Sequence, residues 1–192
     1  PSAVGTGTQV INATTAGSNV TLSFATPANS GMAGINVIAY GATGDGSTVD
    51  SDAINHSTDG AIKASEGSSQ ASGNERIIFP AGIYILNDID DFDGASHSYW
   101  LEGAGMGATT LKQRAGQDVL INADGARMLV FRNMTIDGNS LESAMLRANA
   151  PYIFIDNVEF TNCSAAIKIT GAPKVVAITN CRFADMEQNG DG

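Results

Sequence analysis

One phrase recurs toward the end of the chain: apolar, any, apolar, any, Asn, apolar, any, apolar. It reads Leu129-Val130-Phe131-Arg132-Asn133-Met134-Thr135-Ile136, then Ile153-Phe154-Ile155-Asp156-Asn157-Val158-Glu159-Phe160, then Val176-Ala177-Ile178-Thr179-Asn180-Cys181-Arg182-Phe183. The asparagines lie 24 and then 23 residues apart. Internal repetition with a period of about 20 to 50 residues specifies a solenoid, a propeller or an array. Alternation of apolar residues over a short run is the strand period, not the helix period. In each copy the alternation changes phase at the Asn, and a phase change in a strand is a bend. Asn tolerates the left-handed backbone that a sharp bend needs. Each copy is therefore predicted to be two short strands meeting at an Asn corner.

A coil of about 23 residues with such a corner is one rung of a parallel β-helix. Stacking would place Asn133, Asn157 and Asn180 in a column with a spacing of roughly 4.8 Å, where carboxamides bond along the stack. The predicted inward columns are Leu129/Ile153/Val176, Phe131/Ile155/Ile178, Met134/Val158/Cys181 and Ile136/Phe160/Phe183, all apolar. A third strand per rung reads Val119-Leu120-Ile121, Met145-Leu146-Arg147 and Ile167-Lys168-Ile169. The connections Ala150-Pro151 and Ala172-Pro173 are near copies, and Pro suits a turn or a strand's first residue. On the outward face Arg132 should stack with Asp156, and Glu159 with Arg182, as ordinary cross-strand ion pairs. Val130, Phe154 and Ala177 form an outward apolar column, expected to be covered by another chain or by the N-terminal arm.

The length of 192 residues suits one sizeable domain, or one domain with an arm. A net charge of −10 with pI near 4.4 disfavours nucleic-acid and anionic-membrane partners. It also disfavours simple capture of acidic glycans, unless a local basic patch or bound cations intervene. Only 16% of residues are charged and 22 are Gly, which a strand-and-turn solenoid accommodates. No stretch approaches the roughly 18–20 apolar residues of a membrane helix, and the start shows no secretory signal pattern. Cys163 and Cys181 do not share a rung position. Cys181 reads as an inward small hydrophobe and Cys163 as near a turn, which leaves a disulfide between them open. His56 and His97 have no partners at metal spacing and read as solvated. No metal or cofactor is expected.

Residues 1–34 are rich in Ser, Thr, Ala and Gly, with strand-like runs at Thr8–Asn12 and Asn19–Phe24. They read as an arm or adaptor fragment. Asn12-Ala13-Thr14 and Asn19-Val20-Thr21 fit the glycosylation acceptor pattern, a common chance match. From Ile35 to Ile54 a short strand enters a Gly-rich turn and then a helix. Gly44 and Gly46 supply the turn's backbone angles, and Asp50 or Ser51 can cap the helix. Ile54, Thr58, Ala61 and Ile62 fall on one face. Gly60 costs roughly 1 kcal/mol against Ala, so the helix should be weak or broken. Strand, turn and strand follow over Arg76–Leu86. No Lys-Ser/Thr follows Gly46, as a phosphate-binding loop would need.

These residues resemble the pectate-lyase-3-type entrance to right-handed parallel β-helices. The shared pattern is Tyr40-Gly41-Ala42-Thr43-Gly44-Asp45-Gly46 with Asp50, Asp52, Ala53 and Ile54, then Phe79-Pro80-Ala81-Gly82-Ile83-Tyr84, then Glu102-Gly103-Ala104-Gly105 before Thr109-Thr110-Leu111. Val49 departs from it where the family often carries an acid, and the gap between Ile54 and Ile62 is about one helical turn longer. The resemblance implies an all-β fold: a right-handed single-stranded parallel β-helix with an N-terminal capping α-helix and an extended N-terminal arm. The arm is residues 1–34. Residues 35–192 are the N-terminal part of the β-helix, expected to continue beyond Gly192, because Asn189-Gly190-Asp191-Gly192 is a turn signal and not a cap. Asp45 is implied to belong to the turn that starts the cap helix.

The resemblance spans phage tailspikes and secreted polysaccharide lyases, hydrolases and epimerases, and fold does not choose among them. The expectation is a phage tail spike or fibre subunit that binds or degrades host-surface polysaccharide. It would be a homotrimer of the virion tail, joined to other tail proteins through residues 1–34. The alternatives are a secreted polysaccharide lyase or glycoside hydrolase, and a virion structural protein without enzymatic activity. A glycosidase needs two carboxyl groups about 5–5.5 Å or 6.5–9.5 Å apart. Asp137, Asp185 and Glu187 are available near strand ends but share no column. The acidic run Asp88–Asp93 reads as a solvated loop. Lys112, Arg114, Arg127, Arg132, Arg147, Lys168, Lys174 and Arg182 read as scattered. The sequence therefore assigns no catalytic residue, and any active site is expected outside this segment.

Overall fold

The structure, a computed structural model, describes residues 12–16, 19–23, 34–55, 60–62, 76–89, 92, 97–115 and 119–186. Residues 1–33 and 34–192 form two separate compact units. In the first, β1 (Asn12–Ala16) pairs antiparallel with β2 (Asn19–Ser23). Within the expected N-terminal arm, these residues form a hairpin. Asn12 begins the first strand, and Thr8–Ile11 lie outside the described residues.

The second unit is a right-handed parallel β-helix, the hand that parallel crossover connections almost always take. Its elements are β3 (Gly34–Asn36), β4 (Asp45–Val49), α1 (Ser51–Ile54), β5 (Arg76–Phe79), β6 (Gly82–Leu86), β7 (Ser98–Gly103), β8 (Thr109–Gln113), β9 (Val119–Asp124), β10 (Met128–Asn149), β11 (Tyr152–Ile169), β12 (Val175–Thr179) and β13 (Arg182–Met186). They build three faces. The first stacks β3, β5, β7, the start of β10, the start of β11, and β12. The second stacks β4, β6, β8, the middles of β10 and β11, and β13. The third holds Ile89, β9 and the ends of β10 and β11.

The repeat sets the register. Leu129 pairs with Ile153, Phe131 with Ile155, Met134 with Val158 and Ile136 with Phe160. Ile153 then pairs with Val176, Ile155 with Ile178 and Phe160 with Phe183. Every residue of these columns in β10 and β11 is fully buried. The third strand differs from its reading by one residue. Val119 pairs with Ala144, and Ile167 with Leu146. The inward column is thus Ile89/Ile121/Leu146/Ile167. A short apolar run has no internal mark for register, and a one-residue slip exchanges its faces.

β10 and β11 stay continuous through their corners because single residues absorb each bend. Asn133, Asn157 and Asn180 have φ of 56°, 56° and 53°. A second corner, unmarked in the sequence reading, is made by Asn139, Asn162 and Asp185 at 55°, 53° and 49°. Asp185, a candidate carboxylate from sequence, is therefore a corner residue. Gly138, beside the second corner, touches the coil above: a Cβ there would lie 2.5 Å from the Asn162 carbonyl oxygen and 2.7 Å from the Cys163 Cβ.

The N-terminal entrance is held by carboxylates in turns. Asp45 accepts from the Ser47 and Thr48 amides and the Thr48 hydroxyl, which keeps its carboxyl far below the ordinary range. Asp50 is buried and accepts from Thr43 N, Thr43 Oγ1 and Gly44 N. Its side chain thus ties the Gly-rich turn and does not cap α1, contrary to expectation. Ser51 Oγ accepts from Asn87 N at 2.7 Å instead of capping. The cap helix is a single turn, with Ala61 and Ile62 helical again after Gly60. Ile54, Ala61 and Ile62 are buried, and Thr58 lies outside the described residues. Burial, with Asp50 nearby, pushes the Tyr84 phenol up to about 12.

Candidate functional site

Side chains outside the coil define what the molecule can touch. On the first face, alternation turns three columns outward. The middle one is Arg76/Trp100/Val130/Phe154/Ala177. Ser98/Met128/Tyr152/Val175 lies on one side and Glu102/Arg132/Asp156/Thr179 on the other. The outward apolar column expected at Val130, Phe154 and Ala177 is present, and Trp100 extends it by one coil. Three steps of about 4.8 Å make it roughly 14 Å long.

Two contiguous hollows form one trough along this column. One, of about 490 Å³, is lined by Ser98, Trp100, Arg127, Met128, Tyr152 and Phe154. The next shares Trp100, Met128 and Phe154 and adds Val130, Arg132 and Asp156. Trp100 lies between two cations, with the Arg76 and Arg132 guanidinium carbons 5.7 and 5.9 Å from its ring centre. Such contacts favour a flat, fixed indole. The sequence signal for Trp100 was present but masked. Tyr99-Trp100-Leu101-Glu102-Gly103 is an earlier copy of the phrase, displaced to 30 residues before Val130 and carrying Gly103 at the Asn position.

The charges beside the trough are largely spent on one another. Arg76 pairs with Glu102, and Arg132 with Asp156 at 3.1 Å, the latter as the stacking predicts. Glu102 also accepts from Asn133 Nδ2 at 3.4 Å. Asp156 accepts from Asn180 Nδ2 at 2.9 Å and Thr179 Oγ1 at 2.8 Å. Those two donors, then Arg132, hold its carboxyl below the usual range. The carboxamide column is thereby only partly as expected. Asn157 donates to Asn133 at 2.8 Å, whereas Asn180 turns to Asp156, the stronger acceptor. A glycosidase's general acid needs a raised carboxyl. Asp156 has the opposite environment, and both oxygens of Glu102 are engaged.

The remaining sequence candidates are dispersed. Asp137 accepts from Asn139 N and Asn162 Nδ2 and faces Lys112 at 3.5 Å on the second face. There too Arg182 pairs with Glu159 at 3.1 Å, as predicted. Glu187, Asp90, Asp91, Asp93 and His56 lie outside the described residues. His97 is half-buried with its ring near Tyr99. No disulfide joins Cys163 and Cys181; the Cys163 thiol lies 3.7 Å from Met186 Sδ.

The basic residues are less scattered than their sequence positions suggest. On the third face Arg147 pairs in register with Asn122 below and Lys168 above, which sets two exposed cations side by side. Like charges on neighbouring strands are unfavourable unless an anion joins them. Among the described residues, Arg127, Arg147, Lys168 and Lys174 have no carboxylate within ion-pair distance.

Fold and surface together define a parallel β-helix with an aromatic trough running along its stack. No family model matches the chain. Alginate lyase 7 of Azotobacter vinelandii is 35% identical over 115 residues, which is 54% of this chain and 12% of that protein. Among solved structures, the A-module of mannuronan C-5 epimerase AlgE4 from the same organism is similar at 21% identity and a TM-score of 0.46, over 78% of this chain and 49% of that one. The chain thus spans less than half the length of either relative.

Proposed function

We propose that this chain belongs to a protein that acts on polysaccharide outside the cell, of the lyase type, and that the first-face trough holds the polymer. The observation that carries this is the outward apolar strip of Trp100, Val130 and Phe154 across three coils, with Tyr152 beside it, bordered by polar and charged columns. Aromatic faces with hydrogen-bonding rims suit sugar rings, which are apolar on their faces and polar at their edges. The similarity to an alginate lyase favours a lyase over a phage tail spike. The engaged state of Glu102 and Asp156 disfavours a hydrolase at this face. The pectate-lyase-3-type entrance and the adaptor role of residues 1–34 belong to the same proposal.

Trp100 is the chain's single tryptophan, so its fluorescence reports on the trough alone. Titration with alginate should shift that emission saturably, and Phe154→Ala should abolish the shift. Absence of any response to acidic and neutral polysaccharides would overturn the reading. A homotrimer in which Trp100 is shielded from an added quencher would assign the trough to subunit contact, and the tail-spike reading would take its place.

A further inference from the structure

We propose that Arg127 and Lys174 bind alternate carboxylates of a polyuronate lying in the trough, and so make it select acidic over neutral chains. This rests on the reading of the trough as a glycan site. Met128, Tyr152 and Val175 stack in register. The residues just before them, Arg127, Pro151 and Lys174, therefore occupy one corner in three successive coils. The main chain bears this out. Arg127 N donates to His97 O at 2.8 Å, and Lys174 N to Pro151 O at 2.8 Å, each in the coil below.

Arg127 and Lys174 are thus two coils apart, roughly 9.6 Å along the stack, with Pro151 and the start of β11 between them. Arg127 lines the wider hollow together with Tyr152 and Phe154. Both cations are exposed, and no carboxylate pairs with either among the described residues. The other arginines of this face, Arg76 and Arg132, are already neutralised by Glu102 and Asp156. In a chain of net charge −10 this corner is therefore a local exception, and its complement is an anion. An extended 1,4-linked uronan turns successive sugars over, so carboxylates facing one side recur at every second residue. Two cations two coils apart match that repeat, with the intervening ring left to the aromatic strip. A neutral glycan would meet the same aromatics without the charged contacts.

The test uses the full chain with Trp100 emission as readout. The ligands are alginate-derived oligouronates of increasing length and a neutral cello-oligosaccharide. Arg127→Gln and Lys174→Gln should each weaken uronate binding by about tenfold, the scale of one charge-assisted contact. The double variant should also lose the salt dependence of binding. Neutral-chain affinity should stay unchanged in all three. A disaccharide cannot span both cations, so the two single losses should combine only for trisaccharides and longer. Both substitutions are at exposed side chains, and an unchanged melting temperature would confirm folding. Wild-type uronate affinity in the double variant, with binding still lost in Phe154→Ala, would overturn the edge pair while leaving the trough intact. Absence of binding by the wild-type chain would overturn both.

Discussion

Phe160 and Phe183 occupy the same inward column, one coil apart, with rings stacked 5.5 Å between centres. The first is fully buried and the second is 50% exposed. Val176 and Ile178 are likewise 39% and 42% exposed, while their partners Ile153 and Ile155 are buried. The local pattern is the same in both coils. Only the neighbours differ: β11 has a coil on either side, and among the described residues β12 and β13 pair with β11 alone. In a solenoid, alternation decides which way a side chain points, but burial is supplied by the adjacent coils.

Substitutions can break or sharpen that comparison. The largest effect should come from Phe160→Ala, at about 3–5 kcal/mol of unfolding free energy, against less than about 1 kcal/mol for Phe183→Ala. Denaturant melts of the two variants measure the difference, and equal losses would mean that the last coil is covered in solution. Gly138→Ala should follow, at about 1–3 kcal/mol, because the new methyl meets the coil above at a corner where backbone must move. Asn157→Ala should cost about 1–2 kcal/mol through its left-handed backbone and its lost bond to Asn133. Asn180→Ala should cost less, since its partner Asp156 keeps Thr179 and Arg132.

The smallest effect is a dependence on pH. The folded carboxyl of Asp156 lies below its ordinary value, so its stabilising contribution is complete above the unfolded value of about 3.9. That contribution fades as pH falls through the lower folded value. Asp156→Asn should therefore flatten the acid side of the melting-temperature profile and leave its slope above neutrality unchanged. An unaltered acid limb would show that its hydrogen bonds do not persist in solution.

Much of this fold was legible because the sequence repeats its own register. The Asn phrase marked the corner, the inward columns and two ion pairs, Arg132 with Asp156 and Glu159 with Arg182. The second corner was less legible because its residue changes identity, from Asn139 and Asn162 to Asp185. It also follows the first corner by six, five and five residues. The third strand slipped by one because Val119-Leu120-Ile121 and Met145-Leu146 are apolar on both faces of the alternation. Asp50 departs from the capping role because its partners, Thr43 and Gly44, are brought beside it by the turn and not by helical spacing. The trough was half visible. Its apolar column follows from alternation, but Trp100 sits outside the 23–24-residue spacing. Arg127 and Lys174, 47 residues apart, align only when the coils are counted.

The cornered coil has a further consequence for how such a chain can change in length. Adding or removing one whole turn of winding leaves every column aligned, whereas a gain or loss of a few residues inside a strand rotates the wrong side chains into the interior. Evolution or an engineer can therefore adjust the reach of the outer surface only in increments of one winding, each adding about 4.8 Å. Polymer length recognised would then be a discrete property, written in the number of windings.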